Sequence, residues 1–484
     1  MSLSINKAFT CGSESLYEGI TRTEARKRRE CPSGRGSELQ QKPLIRLKGT
    51  TLRSPPLDTP AHPLYNIPYM VYLMRYLPKA HRVLCMAVVV AALAITAAGT
   101  AHAFRGSFES GVSLYPDKEG VSSELRSRLK LEEKIVFSRT ATFLAGCRFD
   151  GLYSDREEQA NKVIPRLENL SLTLYLPHVD ITMGYCTVYW GKLDQLPPVD
   201  VVNPLNMTSM FLKAERSAAK LPVPLLMVSP YFQDESRLDL LVVPYFKSST
   251  WDELNESTSP FWPFSFNQPL EKRLPSHTVR NVEYGGRFSA ASAGMDWSIY
   301  YFDGYQDLPV YRPDPGGNKV WAEYPRGDMF GFDCELTLGG WVVRGESAYQ
   351  SNRGYMAKGM NGYVLGKSFT SGVGLFKRFR DNYLDFTFLR TSIDVEREIE
   401  EETDEISILT NLESRFSYET KITRLFFIYN VRAKSFFVRS SYSCNLTENT
   451  WIELAIGNFG GSAADAVSRL NKSDFFSVEY QYDF

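Results

Sequence analysis

The chain has 484 residues, of which 43% are hydrophobic, 23% charged and 13% aromatic, with 27 Tyr and 30 Phe. That balance excludes a disordered or collagen-like chain, and a mean hydropathy of -0.26 excludes a polytopic helical membrane protein. The net charge of -1 conceals a split: residues 1–103 hold 14 basic and 6 acidic residues, a surplus of +8, which leaves -9 for the remainder. A basic leader ahead of an acidic body points to export and away from nucleic acid.

Residues 83–98 (VLCMAVVVAALAITAA) form an apolar run broken only by Thr96. The run is shorter than the about 20 residues that a membrane span needs. Arg75, Lys79 and Arg82 precede it and Ala101-His102-Ala103 follows, the parts of a secretory signal peptide in order. The expectation is a signal peptide over 74–103, cleaved before Phe104; the other reading is a short anchoring helix. Residues 1–73 are polar and rich in Pro and Arg, with no periodic apolar pattern. They read as an extension upstream of a true start at Met74, or as a genuine disordered extension. The fold-forming part is then 104–484.

Four cysteines lie in that part: Cys147, Cys186, Cys334 and Cys444. None has C-x-x-C spacing or a nearby His, so free thiols on strands are expected in place of a zinc or thioredoxin-like site. From its first residues this part alternates with period two. Phe104, Phe108, Val112 and Leu114 fall on one face, Arg105 and Glu109 on the other. Arg126, Arg128, Lys130 and Glu132 then alternate with Leu125, Ser127, Leu129 and Leu131. A row of charges on one strand face cannot sit in an apolar core; it requires water or counter-charges, and the inside of a water-filled barrel supplies both.

The same alternation runs through Leu170, Leu172, Leu174 and Leu176, crosses Pro177-His178, and resumes at Val179, Ile181, Met183 and Tyr185. Leu425, Phe427, Tyr429 and Val431 oppose Arg424, and Phe437 shares a face with Arg439. The chain ends Phe476-x-Val478-x-Tyr480-x-Tyr482-x-Phe484, an alternating last strand with a terminal Phe.

Connections alternate between tight and long. Tight ones are expected at 177–178, 233–236, 339–340, 381–382 and 446–449. Long ones are expected at 154–165, 190–222, 247–280, 304–324, 352–361, 392–405 and 460–473. Hydrocarbon offers no hydrogen-bond partner, so a strand-rich chain crosses it only as a closed cylinder. The expected fold class is all-β: a single transmembrane antiparallel β-barrel of about 18 strands, or 16, with a short helical loop inside its lumen. A large soluble sandwich or propeller is the competing fold, but no fixed-period repeat is present to support a propeller.

Several segments, in this order and spacing, carry a resemblance. They are Tyr189-Trp190-Gly191, Asp200-Val201-Val202-Asn203-Pro204, Leu221-Pro222-Val223-Pro224, Tyr300-Tyr301-Phe302-Asp303-Gly304-Tyr305, Gly331-Phe332-Asp333-Cys334 and Arg344-Gly345-Glu346-Ser347-Ala348-Tyr349. Together they resemble an uncharacterised proteobacterial family of outer-membrane β-barrels, catalogued as a domain of unknown function. That family is often encoded near lipid-exporting pumps, and porin and alginate-export barrels are more distantly similar. The resemblance implies an outer-membrane barrel whose C-terminal residues Phe476, Val478, Tyr480, Tyr482 and Phe484 are read by the barrel assembly machinery. It also suggests lipid as the substrate.

The most informative long connection is 190–222. Asn203 suits a helix N-cap and Pro204 the first helical position. Met207, Met210, Phe211, Ala214 and Ala218 follow at helical spacing, with Lys213 and Arg216 off the stripe. An apolar stripe needs something to pack on, so Trp190, Lys192, Asp194, Asp200, Asn203, Lys213 and Arg216 are candidates for a lumen constriction. The other reading is an exposed loop with a helical turn. Arg126, Arg128, Lys130, Glu132, Arg344 and Glu346 are candidate lumen charges, acting on a permeant or only satisfying one another. Trp251, Phe261, Trp262 and Phe264 are either ligand contacts on an outer loop or a self-packed cap over the barrel mouth. The acidic run 396–405 reads as a solvated loop, with divalent-ion or lipopolysaccharide bridging as the weaker option.

Enzyme signals are scarce. Only His178 and His277 follow the signal peptide, and neither lies in a G-x-S-x-G or H-E-x-x-H motif. No catalytic residue, metal site or cofactor is expected. The expected function is an outer-membrane channel for a small hydrophobic molecule, lipid or polysaccharide, its lumen partly closed by an inserted loop. The alternative is a non-conducting structural or adhesion barrel that binds a partner through its outer loops. Expected partners are outer-membrane lipids and lipopolysaccharide, the barrel assembly machinery, and a periplasmic or inner-membrane exporter.

Overall fold

A computed structural model describes residues 105–484 apart from 118–119, 156–161, 233–235, 255, 257–258, 265, 267, 462–464 and 466. The expected extension over 1–73, the signal peptide over 74–103 and most of the turn at 233–236 lie outside the described residues.

Alternating sequence gives long strands. In chain order they are β1 (Arg105–Asp117), β2 (Gly120–Ser138), β3 (Ala141–Ser154), β4 (Lys162–Leu176), β5 (Val179–Cys186), β6 (Val223–Pro230) and β7 (Arg237–Val243). Then come β8 (Leu270–Arg273), β9 (Glu283–Ser292), β10 (Met295–Tyr305), β11 (Val310–Pro313), β12 (Val320–Glu323), β13 (Arg326–Leu338) and β14 (Trp341–Met356). The last are β15 (Tyr363–Phe379), β16 (Asn382–Asp394), β17 (Asp404–Phe416), β18 (Lys421–Asn430), β19 (Ser435–Thr447), β20 (Thr450–Gly460) and β21 (Phe475–Asp483).

All but β8, β11 and β12 form one 18-stranded antiparallel sheet, the larger of the two expected counts. The sheet closes on itself. β21 pairs with β1, Phe476 opposite Leu114 and Asp483 opposite Ser107. The last residue completes the seam: Gly106 N donates to Phe484 O at 2.8 Å and Phe484 N to Gly106 O at 2.9 Å. Closure leaves no edge strand with unpaired amides, which is what makes so large a sheet tenable.

The two ends of the barrel differ. At one end neighbouring strands meet through tight turns such as 139–140, 177–178, 293–294 and 339–340. Gly339 and Gly340 have φ of 54° and 79°, the two left-handed values that a two-residue hairpin requires. The turn expected at 381–382 lies one residue earlier, because Asn382 already pairs with Phe379. The opposite end carries the long connections. Three of them are markedly shorter than expected, since β4 begins at Lys162, β14 runs on to Met356, and β16 and β17 leave only 395–403 between them. Within these connections β11 pairs antiparallel with β12, and β12 pairs parallel with β8. Four-residue strands inside loops offer no period long enough to read, so this small sheet leaves no pattern in the residues.

The barrel sheet has a polar and an apolar face. On β21, Phe476, Val478, Tyr480 and Tyr482 are exposed while Ser477, Glu479 and Gln481 between them are half-buried. On β16, Phe386 and Phe388 are exposed while Asp385, Thr387 and Leu389 are buried. At the tight-turn end Lys377 lies over the rings of Trp341 and Phe379, at 4.6 and 5.0 Å.

Candidate functional site

The connection between β5 and β6 is held at its neck by one side chain. Asn203, 1% exposed, accepts from Val188 N at 2.7 Å and donates to Leu221 O at 2.9 Å and Cys186 O at 3.3 Å. A β-bridge joins Leu205 to Lys220 beside it. With Asn203 committed to the neck, the helix starts later than the sequence suggested: α1 (Met207–Lys213) is capped by Asn206, whose side chain accepts from Ser209 N at 3.1 Å. Ala214 has φ of 51° and ends it, and α2 (Arg216–Ala219) follows. The break shifts the phase of the apolar stripe, so Ala219 is buried and Ala218, expected on that stripe, is exposed.

The first half of the segment docks on the polar face of β10, β13 and β14. Trp190, 2% exposed, packs on Tyr300 and Phe302 with ring centroids 5.3 and 6.1 Å away. Glu346 of β14 supplies the polar anchor. It accepts from Lys192 N at 2.9 Å, Leu193 N at 3.2 Å and Val199 N at 2.9 Å. Val199 sits so close over Gly331 that a Cβ there would come within 2.4 Å of Val199 Cγ1. Leu193 reaches across to Leu389 and Leu409 of β16 and β17. Asp194 pairs with Arg344 at 2.9 Å, and Arg344 also holds Glu335 at 2.8 Å. Asp200 binds the segment to itself, through Lys220 at 2.7 Å and Arg216 at 2.9 Å.

The helical half reaches strands on either side of the seam. Lys213 pairs with Glu109 of β1 at 3.3 Å and with Glu479 of β21. Burial alone would lower the Lys213 ammonium, but these two carboxylates outweigh it and hold its pKa above the ordinary value. Phe211 packs on Phe437 and Phe459 at 5.4 and 5.3 Å. Arg439 Nε donates to Leu212 O at 2.7 Å, and Arg424 lies 3.5 Å from Glu215.

The aromatic cluster expected on an outer loop is turned inward. Phe261 is 0% exposed, between Tyr115, Phe211, Phe459 and Phe475. Trp251 is buried against Trp262 and Phe264, and Phe264 packs on Tyr311 at 4.6 Å. Phe261 and Trp251 therefore offer almost no surface to a ligand; burying aromatic area on α1 and the wall is the stronger force. The backbone ties the two connections together. Thr250 N donates to Leu205 O, and Met207 N and Thr208 N donate to Thr250 O and Trp251 O, all at 2.9 Å.

Next to Trp251 stand Asp252 and Glu253, which the sequence reading missed. Asp252 pairs with Arg126 at 2.6 Å; Glu253 pairs with Arg148 at 2.6 Å and Arg166 at 2.9 Å. Arg128 pairs with Asp150 at 2.9 Å and Glu109 at 3.8 Å, and Lys130 with Glu132 at 3.3 Å and Glu168 at 3.8 Å. The basic row is thus countered residue by residue. Lys247, on the same connection, donates to Tyr185 Oη at 2.7 Å and Pro222 O at 3.1 Å. Burial pushes its ammonium down to about 8, opposed by Glu253 and reinforced by Arg166 and Arg148.

The acidic run at 396–405 is partly used in loop packing: Glu398 pairs with Lys358 at 2.8 Å and Glu400 with Arg469 at 3.2 Å. Among the described residues no group of three or more His, Cys, Asp or Glu is placed to hold a metal ion. His178 lies in the β4–β5 turn, and His277 packs on the Tyr245 ring at 4.9 Å.

Two cavities adjoin the 187–222 segment. One, of about 230 Å³, lies between its two arms, from Tyr189 to Asp194 on one side and Glu215 to Lys220 on the other. The second, of about 220 Å³, lies between the segment and Tyr383, Asn411, Arg424, Phe426 and Arg439 of β16–β19.

No family model and no curated protein matches the chain. Among solved structures it is similar to OccAB3 of Acinetobacter baumannii, with 8% identity over 79% of this chain and 98% of that one, at a TM-score of 0.46. It is similar to Salmonella typhi OmpF in complex with daunomycin, with 9% identity over 79% and 97%, at 0.41. A triple mutant of Rhodopseudomonas blastica porin gives 12% identity over 79% and 99%, at 0.36.

Proposed function

We propose that the chain is an outer-membrane channel barrel whose lumen is narrowed by its own 187–222 segment. The observation that carries this reading is the reach of that segment: one stretch of chain bonds to β1, β10, β14, β18, β19 and β21 of a closed ring. A segment that enters the cylinder accounts for contacts to walls so far apart around it. The exposed apolar face suits hydrocarbon, with the tight turns in the periplasm and the long connections outside. On this reading the leader is removed before Phe104, and the last strand addresses the chain to the barrel assembly machinery.

The cavities beside the segment are lined by charged and polar groups, which favours a small polar permeant. The lipid or polymer suggested by the resemblance requires the segment to move aside. Planar-bilayer recording tests the channel. Wild type should conduct, and deletion of 206–220 should enlarge the current, since the Leu205–Lys220 bridge brings the cut ends side by side. Zero current in both forms would refute the channel and leave a structural or adhesion barrel.

A further inference from the structure

Three arginines on β2–β4 are set by the wall and filled from the β7–β9 connection. Arg148 gives Nε to Asp150 at 2.7 Å and Nη1 to Glu168 at 2.8 Å, which fixes the plane of its guanidinium. Its remaining nitrogen, Nη2, donates to one oxygen of Glu253 at 2.6 Å. Arg166 reaches the other oxygen with Nη1 at 2.9 Å and the Glu253 carbonyl with Nη2 at 2.6 Å. Arg126 divides Nη2 between Glu124 at 2.8 Å and Asp252 at 2.6 Å. The Asp252 and Glu253 side chains are 1% and 7% exposed. Two adjacent carboxylates of a connection thus fill a place built as a site for a free carboxylate is built, from planar donors held in fixed orientation.

The same connection is bonded to α1. Besides the backbone bonds of Met207, Thr208 and Thr250, Leu205 N donates to Ser249 Oγ at 2.8 Å and Thr208 Oγ1 to Trp251 O at 2.6 Å, and the Thr208 and Ser259 hydroxyls lie 2.9 Å apart. Thr208 and Ser249 are each 1% exposed, so water does not compete for this seam. Asn206, the cap of α1, turns its amide to Glu253 at 3.5 Å. Whatever holds Glu253 therefore also holds α1.

We propose that Arg126, Arg148 and Arg166 form a carboxylate-binding site that the chain fills with its own Asp252 and Glu253, and that this internal ligand latches the 187–222 segment in its docked position. This rests on the channel reading above and adds what holds the narrowed state. Asp252 and Glu253 are positioning residues: they act on α1 through the seam at 249–251. A carboxylate on a short tether has a high effective concentration at its site, so the latch stays shut against free carboxylates in solution.

The test uses the full barrel in planar bilayers, with altered mobility on boiling to confirm that each variant is folded. Glu253→Ala should raise the occupancy of a large-conductance state about tenfold or more. Acetate, small enough to refill the vacated place, should lower that occupancy again and saturate, at constant ionic strength; acetamide, of the same shape without the charge, should not. Thr208→Val cuts the seam and leaves the arginines filled, so it should also open the channel, yet acetate should not reverse it. Unchanged occupancy in Glu253→Ala would overturn the latch. Opening of Glu253→Ala that acetate fails to reverse, or that acetamide reverses equally, would overturn the carboxylate site. Absence of current from wild type, from the 206–220 deletion and from Glu253→Ala would instead overturn the channel reading itself, and this proposal with it.

Discussion

Glu346 is the side chain whose loss should release the 187–222 segment. It gathers three backbone amides, those of Lys192, Leu193 and Val199, and both Leu193 and Val199 are buried. Truncation to Ala strands the buried Leu193 and Val199 donors away from water, at about 1–3 kcal/mol for each buried group left unpaired. Neighbouring amides relax together, so about 3 kcal/mol in total is a conservative figure. That shifts the balance between docked and released segment about a hundredfold. Glu346→Gln keeps one carbonyl acceptor and should shift it less. The barrel itself, held by strand pairing, should still change mobility on boiling. In single-channel records Glu346→Ala should spend far more time in a large-conductance state, with Glu346→Gln between it and wild type. Wild-type open times in both variants, together with unchanged protease resistance of 190–200, would refute the reasoning.

Trp190 offers a second handle on the same contact. Its Nε1 is buried with no hydrogen-bond partner, so Trp190→Phe sheds an unsatisfied group along with some ring area and should stay within about 1 kcal/mol of wild type. Trp190→Ala should cost about 3–5 kcal/mol and expose the segment to protease; equal lability of the two variants would count against this packing. Lys247 predicts a pH dependence. Its docked pKa is about 8 against an ordinary 10.5, so the released state holds more protons between those values and docking strengthens as pH rises through that window. Large-conductance events should therefore become rarer from pH 8 to 10, and Lys247→Met should flatten the trend.

Much of the barrel was legible because a strand with one apolar and one polar face must alternate. The row Phe476, Val478, Tyr480 and Tyr482 and the row Arg126, Arg128 and Lys130 each declare a face without any knowledge of their neighbours. Such rows and the turns between them allowed about 18 strands or 16, and the larger number is the one found. The 187–222 segment was legible only in part. Its helical stripe was visible, but Asn203 carries the same N-cap chemistry as Asn206, and only tertiary packing shows that Asn203 closes the neck instead. The inward turn of Trp251 and Phe261 was open in the sequence, since an aromatic cluster reads alike as cap or contact. Asp252 and Glu253 left no local mark at all. Their role depends on Arg126, Arg148 and Arg166, which lie about a hundred residues away in the chain.

The neck built from Asn203 and the Leu205–Lys220 bridge has a consequence for how this protein can vary. Because entry and exit of the insertion are stitched together at its base, whatever lies between them is a cassette on a fixed mount. Its length and chemistry are free to drift, or to be exchanged in the laboratory, without disturbing the strand pairing of the cylinder around it.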